Sequence, residues 1–320
     1  MTIIRPSRPK NPHLARQARS AIRPREGSLW WILRQHPGQA LFQKPDRWSD
    51  LHNKVLGVSW YELKTDDTLR TISVNEEDIA KLQDYVPELL KARYKDKFTA
   101  LLQMTLETLW PEVFSMSNIP AVFDIRFDTR IYKKAVKVDA AWVSQSRSPA
   151  SISRSPNENA KQASHLGQML ICYAEMRRWL RPKSLTENDP IKRLNRLRHN
   201  LLLSPNPHHD ARFVGILLAM AQSGFYAQSS TERLPVNFTD TKMRIITLDR
   251  DAGEFIVYKG HITKEFLIAF DAPFEAELNE EIRLRDPTIT YTRVPLRPVL
   301  DLKRRLGKAL GREIVGDLSK

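Results

Sequence analysis

The 320-residue sequence has little cysteine and little glycine. Its single cysteine, Cys172, can form neither an internal disulfide nor a thiolate zinc site, which agrees with a reducing compartment. The 11 glycines include no GxGxxG or GxxxxGK[ST] pattern, so kinase or dehydrogenase chemistry with a nucleotide cofactor is disfavoured. A GxSxG motif is also missing, which argues against a serine hydrolase of the common kind.

Long apolar runs are missing as well. No stretch of roughly 18 apolar residues occurs, and the N-terminal residues lack the apolar core of a secretory signal. We therefore expect an intracellular protein, nuclear or cytoplasmic, that is not secreted and has no membrane partner.

Positive charge is abundant, and it is concentrated in two places. The chain has a formal net charge of +14, and residues 1–26 and 177–199 each carry a net charge of +6. The remainder is close to balanced, so the basicity belongs to local features. Four prolines and six arginines with little periodicity predict a disordered basic tail over residues 1–26.

The order of periodic segments predicts an α+β fold. Helical and strand patterns alternate in groups along residues 27–316, which indicates a single domain, mostly helical, with a small antiparallel or mixed sheet built from strands of both halves. Residues 144–162 contain SRSP twice and predict a flexible insertion, and residues 317–320 form a short tail. Ser148 and Ser155 are candidates for proline-directed phosphorylation, which would favour a regulated interaction scaffold; the alternative is an unmodified loop.

Several helices can be predicted with their ends. A capping box from Ser73 to Glu76 opens one helix, and Pro87 is expected to separate it from a second helix that starts near Asp84. Apolar residues from Leu166 to Leu180 recur at helical spacing and predict an amphipathic helix. A segment that starts at Asp210 is apolar nearly all round, which predicts a buried central helix.

The segment "PIKRLNRLRHNLLL", beginning at Pro190, predicts a basic helix. Its apolar residues are expected to form the buried stripe, namely Ile191, Leu194, Leu197, Leu201 and Leu202. The basic residues of this helix and of the segment before it would then face outward and contact phosphates or carboxylates: Arg177, Arg178, Arg181, Lys192, Arg193 and Arg196. A solvated helix face without a partner is the alternative.

The stretch "FDIRFDTRIYKKAVKVDAAWV" predicts a β-hairpin in which Phe123, Ile125 and Phe127 face the core. Charged residues on its other face are what cross-strand pairing alone produces. The region also resembles the PD-(D/E)XK nucleases, which have a helix, a hairpin bearing an aspartate and an acid-x-lysine triplet, and a further helix.

That resemblance implies a Mg²⁺ site at Asp124 and Asp139, with Lys137 as the lysine. Gln168 and Tyr173 would match the Gln and Tyr of the superfamily's following helix. The sequence departs from the pattern because Ala141 stands where the lysine is expected, and Lys137 lies before the second acid. An inactive relative of that fold therefore stays open beside an active nuclease.

Two adjacent histidines, His208 and His209, precede Asp210. Neighbouring residues rarely point at one metal ion, and Asp210 is explained as a helix N-cap, so no metal site is expected there.

The segments "HPGQALFQKPDRWSDLH", "HLGQML", "DARFVGILLAMAQS" and "FTDTKMRIITLDRDAGEFIVYKGHITKEFL" resemble a family of filamentous-fungal proteins of unknown function, over about residues 20 to 316. The resemblance implies a eukaryotic intracellular setting and no activity or cofactor. From the residues, the leading hypothesis is a non-catalytic binding module for nucleic acid or an acidic partner, with a Mg²⁺-dependent nuclease as the rival.

Overall fold

The computed structural model describes residues 24–36, 41–64, 75–92, 94–114, 121–143, 169–176, 190–227, 236–275 and 287–316. The basic N-terminal residues 1–23, the SRSP segment and residues 317–320 lie outside these ranges. Ser148, Ser155, Arg177, Arg178 and Arg181 are therefore outside the described residues, as is the side chain of Lys192.

The helices in chain order are α1 (Leu29–Arg34), α2 (Asp50–Val55), α3 (Glu76–Lys91), α4 (Lys95–Leu109), α5 (Pro111–Phe114), α6 (Pro190–Asn200), α7 (Ala211–Ala227), α8 (Lys264–Asp271), α9 (Leu302–Leu310) and α10 (Arg312–Val315). Short 3-10 turns occur at Pro45–Arg47 and Val299–Asp301. The strands are β1 (Ser59–Leu63), β2 (Ala121–Phe127), β3 (Arg130–Val138), β4 (Ala140–Val143), β5 (Met169–Tyr173), β6 (Thr241–Asp249), β7 (Glu254–Ile262) and β8 (Thr288–Pro295).

A mixed six-stranded sheet is the centre of the molecule, with the strand order β1-β8-β7-β6-β5-β4. Strands β1 and β8 are parallel, as are β5 and β6, and the other neighbours are antiparallel. A separate two-stranded sheet is formed by β2 and β3. The fold is therefore α+β, with one sheet that joins strands from both halves of the chain, as predicted.

A separate layer of apolar side chains is buried on each face of the six-stranded sheet. Helix α7, the β2–β3 hairpin and the N-terminal helices pack on one face, where Cys172, Ile245 and Tyr258 are buried. Helices α3, α4 and α9 pack on the other face, over Tyr173, Ile246 and Val257. Successive strand residues point to opposite faces, so strands β5 to β7 supply both layers.

Two predicted elements are wrong. Met169–Tyr173 is a central strand and not part of a helix; β4 and β6 flank it, and Ile171, Cys172 and Tyr173 are fully buried. A strand covered on both faces has a continuous apolar run, which resembles a buried helix when only periodicity is considered.

The predicted break at Pro87 is also wrong, because α3 continues through this proline to Lys91 and the chain turns before Lys95. The N-cap of α3 is Asn75, whose side chain accepts a hydrogen bond from the N–H of Glu77 at 3.4 Å. The burial of Val86 and Leu89 on either side of Pro87 offsets the loss of one helical hydrogen bond.

Other predictions are confirmed. Asp210 precedes the buried helix α7 and accepts from the N–H of Arg212 at 2.9 Å. In the hairpin, Phe123, Ile125 and Phe127 are buried as expected.

Candidate polyanion-binding cleft

Asp139 lies at a joint between the two sheets. It follows β3, which belongs to the hairpin, and precedes β4, which belongs to the six-stranded sheet. Its N–H donates to the carbonyl of Tyr173 at 3.0 Å, and its carboxylate accepts from the N–H of Glu175 at 3.2 Å. These two bonds attach the joint to the end of β5, so the carboxylate of Asp139 is held beside Glu175.

A cleft of about 250 Å³ opens at this joint. The residues that line it come from the 3-10 turn at Pro45–Arg47, from the end of β3, and from helices α4, α6 and α7 or their ends. They are Asp46, Lys95, Lys137, Asp139, His199, Leu202 and Arg212. Three permanent cations thus face two carboxylates, with a histidine at the rim. The end of the basic helix α6 reaches this cleft through His199 and Leu202, and there it meets the hairpin residues Lys137 and Asp139, although the predicted arginines of α6 do not line the cleft.

Cations hold the acidic groups of the cleft. The ammonium of Lys95 contacts Asp139 directly. Glu175 pairs with Arg250 at 3.0 Å, and its carbonyl accepts a hydrogen bond from the buried guanidinium of Arg212. Arg250 is fixed in turn by a 2.8 Å hydrogen bond to the carbonyl of Ala92 and by the ring of Phe98, 4.6 Å away.

Burial shapes the protonation of this region. Partial burial raises the pKa of Glu175, and the nearby Asp139 raises it further, while Arg250 opposes both effects. Burial also raises the pKa of the Cys172 thiol and of the Tyr173 phenol far above their ordinary values. Cys172 and Tyr173 are therefore neutral core groups, and Glu175 keeps its proton to a higher pH than an ordinary glutamate does.

Asp124 lies away from the cleft. Ala121 pairs with Val138, so Asp124 and Asp139 are four positions apart along the hairpin, or about 13 Å at 3.3 Å per residue. The carboxylate of Asp124 accepts from the N–H of Lys134 at 2.7 Å, where a register shift interrupts the hairpin. Asp124 thus has a local structural contact, and one Mg²⁺ ion cannot bridge it to Asp139.

Other predicted residues are placed as follows. Tyr173 lies in a strand and is buried, and Gln168 is outside the described residues. His209 stacks on Trp60 with ring centroids 5.2 Å apart, and His208 stacks on Tyr291 at 5.1 Å. Within the described ranges, no group of three or more His, Cys, Asp or Glu side chains could hold a metal ion.

The predicted buried stripe of α6 is wrong. Ile191, Leu194, Leu197 and Leu201 are all exposed, and only Leu202, past the helix end, is half-buried. The sequence shows that this helix is amphipathic, but it cannot show whether the rest of the chain covers the apolar side.

The sequence also left some cleft residues unassigned. Lys95, Glu175 and Arg212 come from distant segments and meet only in the folded chain. The triplet Glu175-Met176-Arg177 has an acid-x-basic pattern that could have indicated Glu175 as a site residue. The apolar spacing of the segment before it, however, predicts a helix and not a strand.

No protein-family model matches this sequence, and no curated protein matches it either. The fungal family and the nuclease superfamily therefore remain predictions from the sequence. None of the described helices is long and apolar enough to cross a membrane.

Proposed function

We propose that the protein binds nucleic acid in this cleft, through the phosphate backbone. The observation that carries the proposal is that Lys95, Lys137 and Arg212 line one cleft together with His199 of the basic helix α6. Clustered cations bind a nucleic acid because each phosphate that they neutralise releases the counterions condensed on the nucleic acid.

Two cations of the surface are available for a ligand. Lys137 is exposed and makes no ion pair with any residue that the structure describes, and the same holds for Arg196 of α6. Arg196 and His199 are three residues apart and so share a helix face, and His199 lines the cleft. A backbone phosphate in the cleft and its neighbour along α6 would therefore meet Lys137 and Arg196 in turn.

The acids of the cleft do not oppose this ligand strongly. Asp139 is neutralised by Lys95, and the neighbouring Glu175 by Arg250. Of the cleft acids, only Asp46 has no cation assigned to it among the residues that the structure describes. Lys95 is 61% exposed, so its ammonium can donate to a phosphate oxygen while it keeps its ion pair with Asp139.

The proposal predicts that the variant Lys137→Glu/Arg196→Glu loses nucleic-acid binding. Fluorescence anisotropy of short labelled DNA and RNA strands, single and double, measures the affinity over a range of salt concentrations. We expect a loss of about tenfold or more and a shallower dependence of log K on log salt, since two phosphate contacts are removed.

The matched control is Lys242→Glu/Lys264→Glu. It makes the same change of net charge with two exposed lysines at the opposite end of β6 from the cleft. This control should bind nearly as well as wild type. Equal losses in both variants would reduce the effect to overall charge, and unchanged binding of the cleft variant would reject the site.

A second candidate function is Mg²⁺-dependent cleavage of the bound phosphodiester. It is favoured by the proximity of Asp139 and Glu175 at the ends of neighbouring strands, shown by the 3.2 Å bond from the N–H of Glu175 to the Asp139 carboxylate. The order of helix α4, a hairpin leading to Asp139 and the triplet Glu175-Met176-Arg177 also resembles the nuclease arrangement, with arginine in place of lysine and with helix α6 placed between the triplet and helix α7.

The donor set fits Mg²⁺, which takes one or two protein carboxylates together with water and phosphate oxygens. Asp139 and Glu175 would hold it, and the ion would supply Lewis acidity at the phosphate. Lys95 and Lys137 would orient the phosphate, and Arg250 would keep Glu175 ionised despite its raised pKa. The exchange of lysine for arginine removes a side chain that can lose its proton, so any general base must be another group.

This candidate predicts that Asp139→Asn and Glu175→Gln each reduce Mg²⁺-dependent nicking of plasmid DNA to the level seen with a chelator. Asp124→Asn is the matched control, because it removes a carboxylate of the same hairpin outside the cleft. Cleavage that survives in Asp139→Asn would exclude the hydrolytic role, whereas binding by the cleft could still be intact.

A further inference from the structure

Helix α6 exposes a stripe of leucines on the side that does not face the cleft. Leu194, Leu197 and Leu201 are 46%, 52% and 78% exposed. Leu201 continues the helical turn, since its N–H donates to the carbonyl of Leu197 at 3.1 Å. No described helix or strand packs along α6. Neighbouring exposed leucines on one helix face are typical of a docking surface.

The spacing of the stripe fits the seam of a helix pair. Leu194, Leu197 and Leu201 recur after three and then four residues, as a, d and a of a heptad. Arg193 and Arg198 then fall at the flanking g and e positions. Neither arginine makes an ion pair with a residue that the structure describes. At 100° per residue, Arg196 lies about 130° and His199 about 170° from the centre of the stripe, so the cleft and the stripe use different faces.

We infer that α6 docks an amphipathic helix of a partner protein whose apolar seam is flanked by glutamate or aspartate. The leucines call for an apolar surface, and the arginines at the flanks call for carboxylates on each side of it. This site is separate from the nucleic-acid cleft and does not depend on it.

Charge argues against a second copy of this chain as the occupant. In a parallel pair of α6 helices, Arg193 would face Arg198 of the other copy. In an antiparallel pair with Leu197 opposite Leu201, Arg198 would face its own counterpart. Both arrangements place like charges together. A lipid surface is less suited than a helix, because α6 has only 11 residues and no aromatic side chain to sit at the membrane interface.

The test uses the full chain and a labelled peptide of about four heptads with leucine at a and d and glutamate at e and g. This peptide cannot pair with itself, because its flanks repel. A comparison peptide carries lysine at e and g. We expect fluorescence anisotropy to show binding of the acidic peptide, weakened by salt, and binding of the lysine peptide weaker by about tenfold or more.

The variant Leu194→Gln/Leu197→Gln should lose the acidic peptide and keep both its melting temperature and its DNA binding, because exposed leucines contribute little to folding. Equal binding of the two peptides, no binding of the acidic one, or a fall in melting temperature in the variant would each overturn the inference. Binding to phosphatidylserine vesicles without peptide binding would overturn it in favour of lipid, and a concentration-dependent dimer abolished in the variant would overturn it in favour of self-association.

Discussion

His209 is a titratable residue whose surroundings favour its neutral form. Its ring stacks on Trp60, and the amide nitrogen of Asn206 lies 3.1 Å from Nε2, which can accept a hydrogen bond only when it carries no proton. Partial burial lowers the pKa of His209 in the folded chain, and the nearby Asp50 opposes this effect. The stacked ring helps to fix the segment between α6 and α7 to the sheet.

A lowered pKa makes the free energy of unfolding depend on pH in a definite direction. As the pH falls through the ordinary histidine pKa near 6.5, the unfolded chain takes up the proton first, so stability decreases. Above that pH the stabilising contribution is fully present. It is lost progressively until the pH lies below the folded-state pKa.

We predict that His209→Phe flattens this dependence. Phenylalanine keeps a flat ring against Trp60 and cannot ionise, and all other titrating groups are common to both proteins. Urea unfolding measured between pH 7.5 and pH 5 should show that wild type loses more stability than the variant on acidification. Parallel curves for the two proteins would mean that His209 does not contribute to the pH dependence.

Among the elements, the β6–β7 hairpin and strand β5 show what the local sequence pattern can and cannot establish. The hairpin of β6 and β7 is predictable because its strands flank the turn at residues 251–253, where Gly253 adopts a positive φ of 66°. Strand β5 is not, since its apolar residues satisfy a helix pattern equally well. Only the ladders to β4 and β6 make Met169–Tyr173 a strand.

The candidate site shows the same division. Lys137 and Asp139 can be selected from the sequence because they lie two residues apart on one predicted strand, which puts them on one face. Lys95 and Arg212 could not be, since they are brought to Asp139 and Glu175 by contacts between distant segments. The resemblance to nucleases pairs Asp124 with Asp139, and the sequence cannot test this pairing, because alternation gives the face of a strand on which a side chain lies but not the distance along it.

At the scale of the whole molecule, the six-stranded sheet couples the two ends of the chain. Strand β1 pairs with β8, which is more than two hundred residues later in the sequence. Strands β5 to β7 supply side chains to the apolar layers on both faces. Loss of either layer would expose one apolar face of the strands that also carry the other layer, so the two layers should not unfold independently.

We therefore predict a single unfolding transition in urea. Far-UV circular dichroism follows the helices, and tryptophan fluorescence follows both layers, because Trp48 is buried in one and Trp142 in the other. Alkylation of Cys172, the only cysteine, follows opening of the layer against α7. Burial and a raised pKa keep this thiol unreactive while the layer is closed.

All three probes should share one midpoint, and a Cys172→Ala protein should give no alkylation signal at any urea concentration. Cys172 that becomes reactive well below the midpoint seen by circular dichroism would show that helix α7 and the hairpin separate from the sheet before the rest unfolds. In that case the cleft, which α7 and the hairpin help to line, would open in a partly unfolded state, and nucleic-acid binding should be lost at the lower midpoint. With a single transition, binding should persist until the whole sheet unfolds.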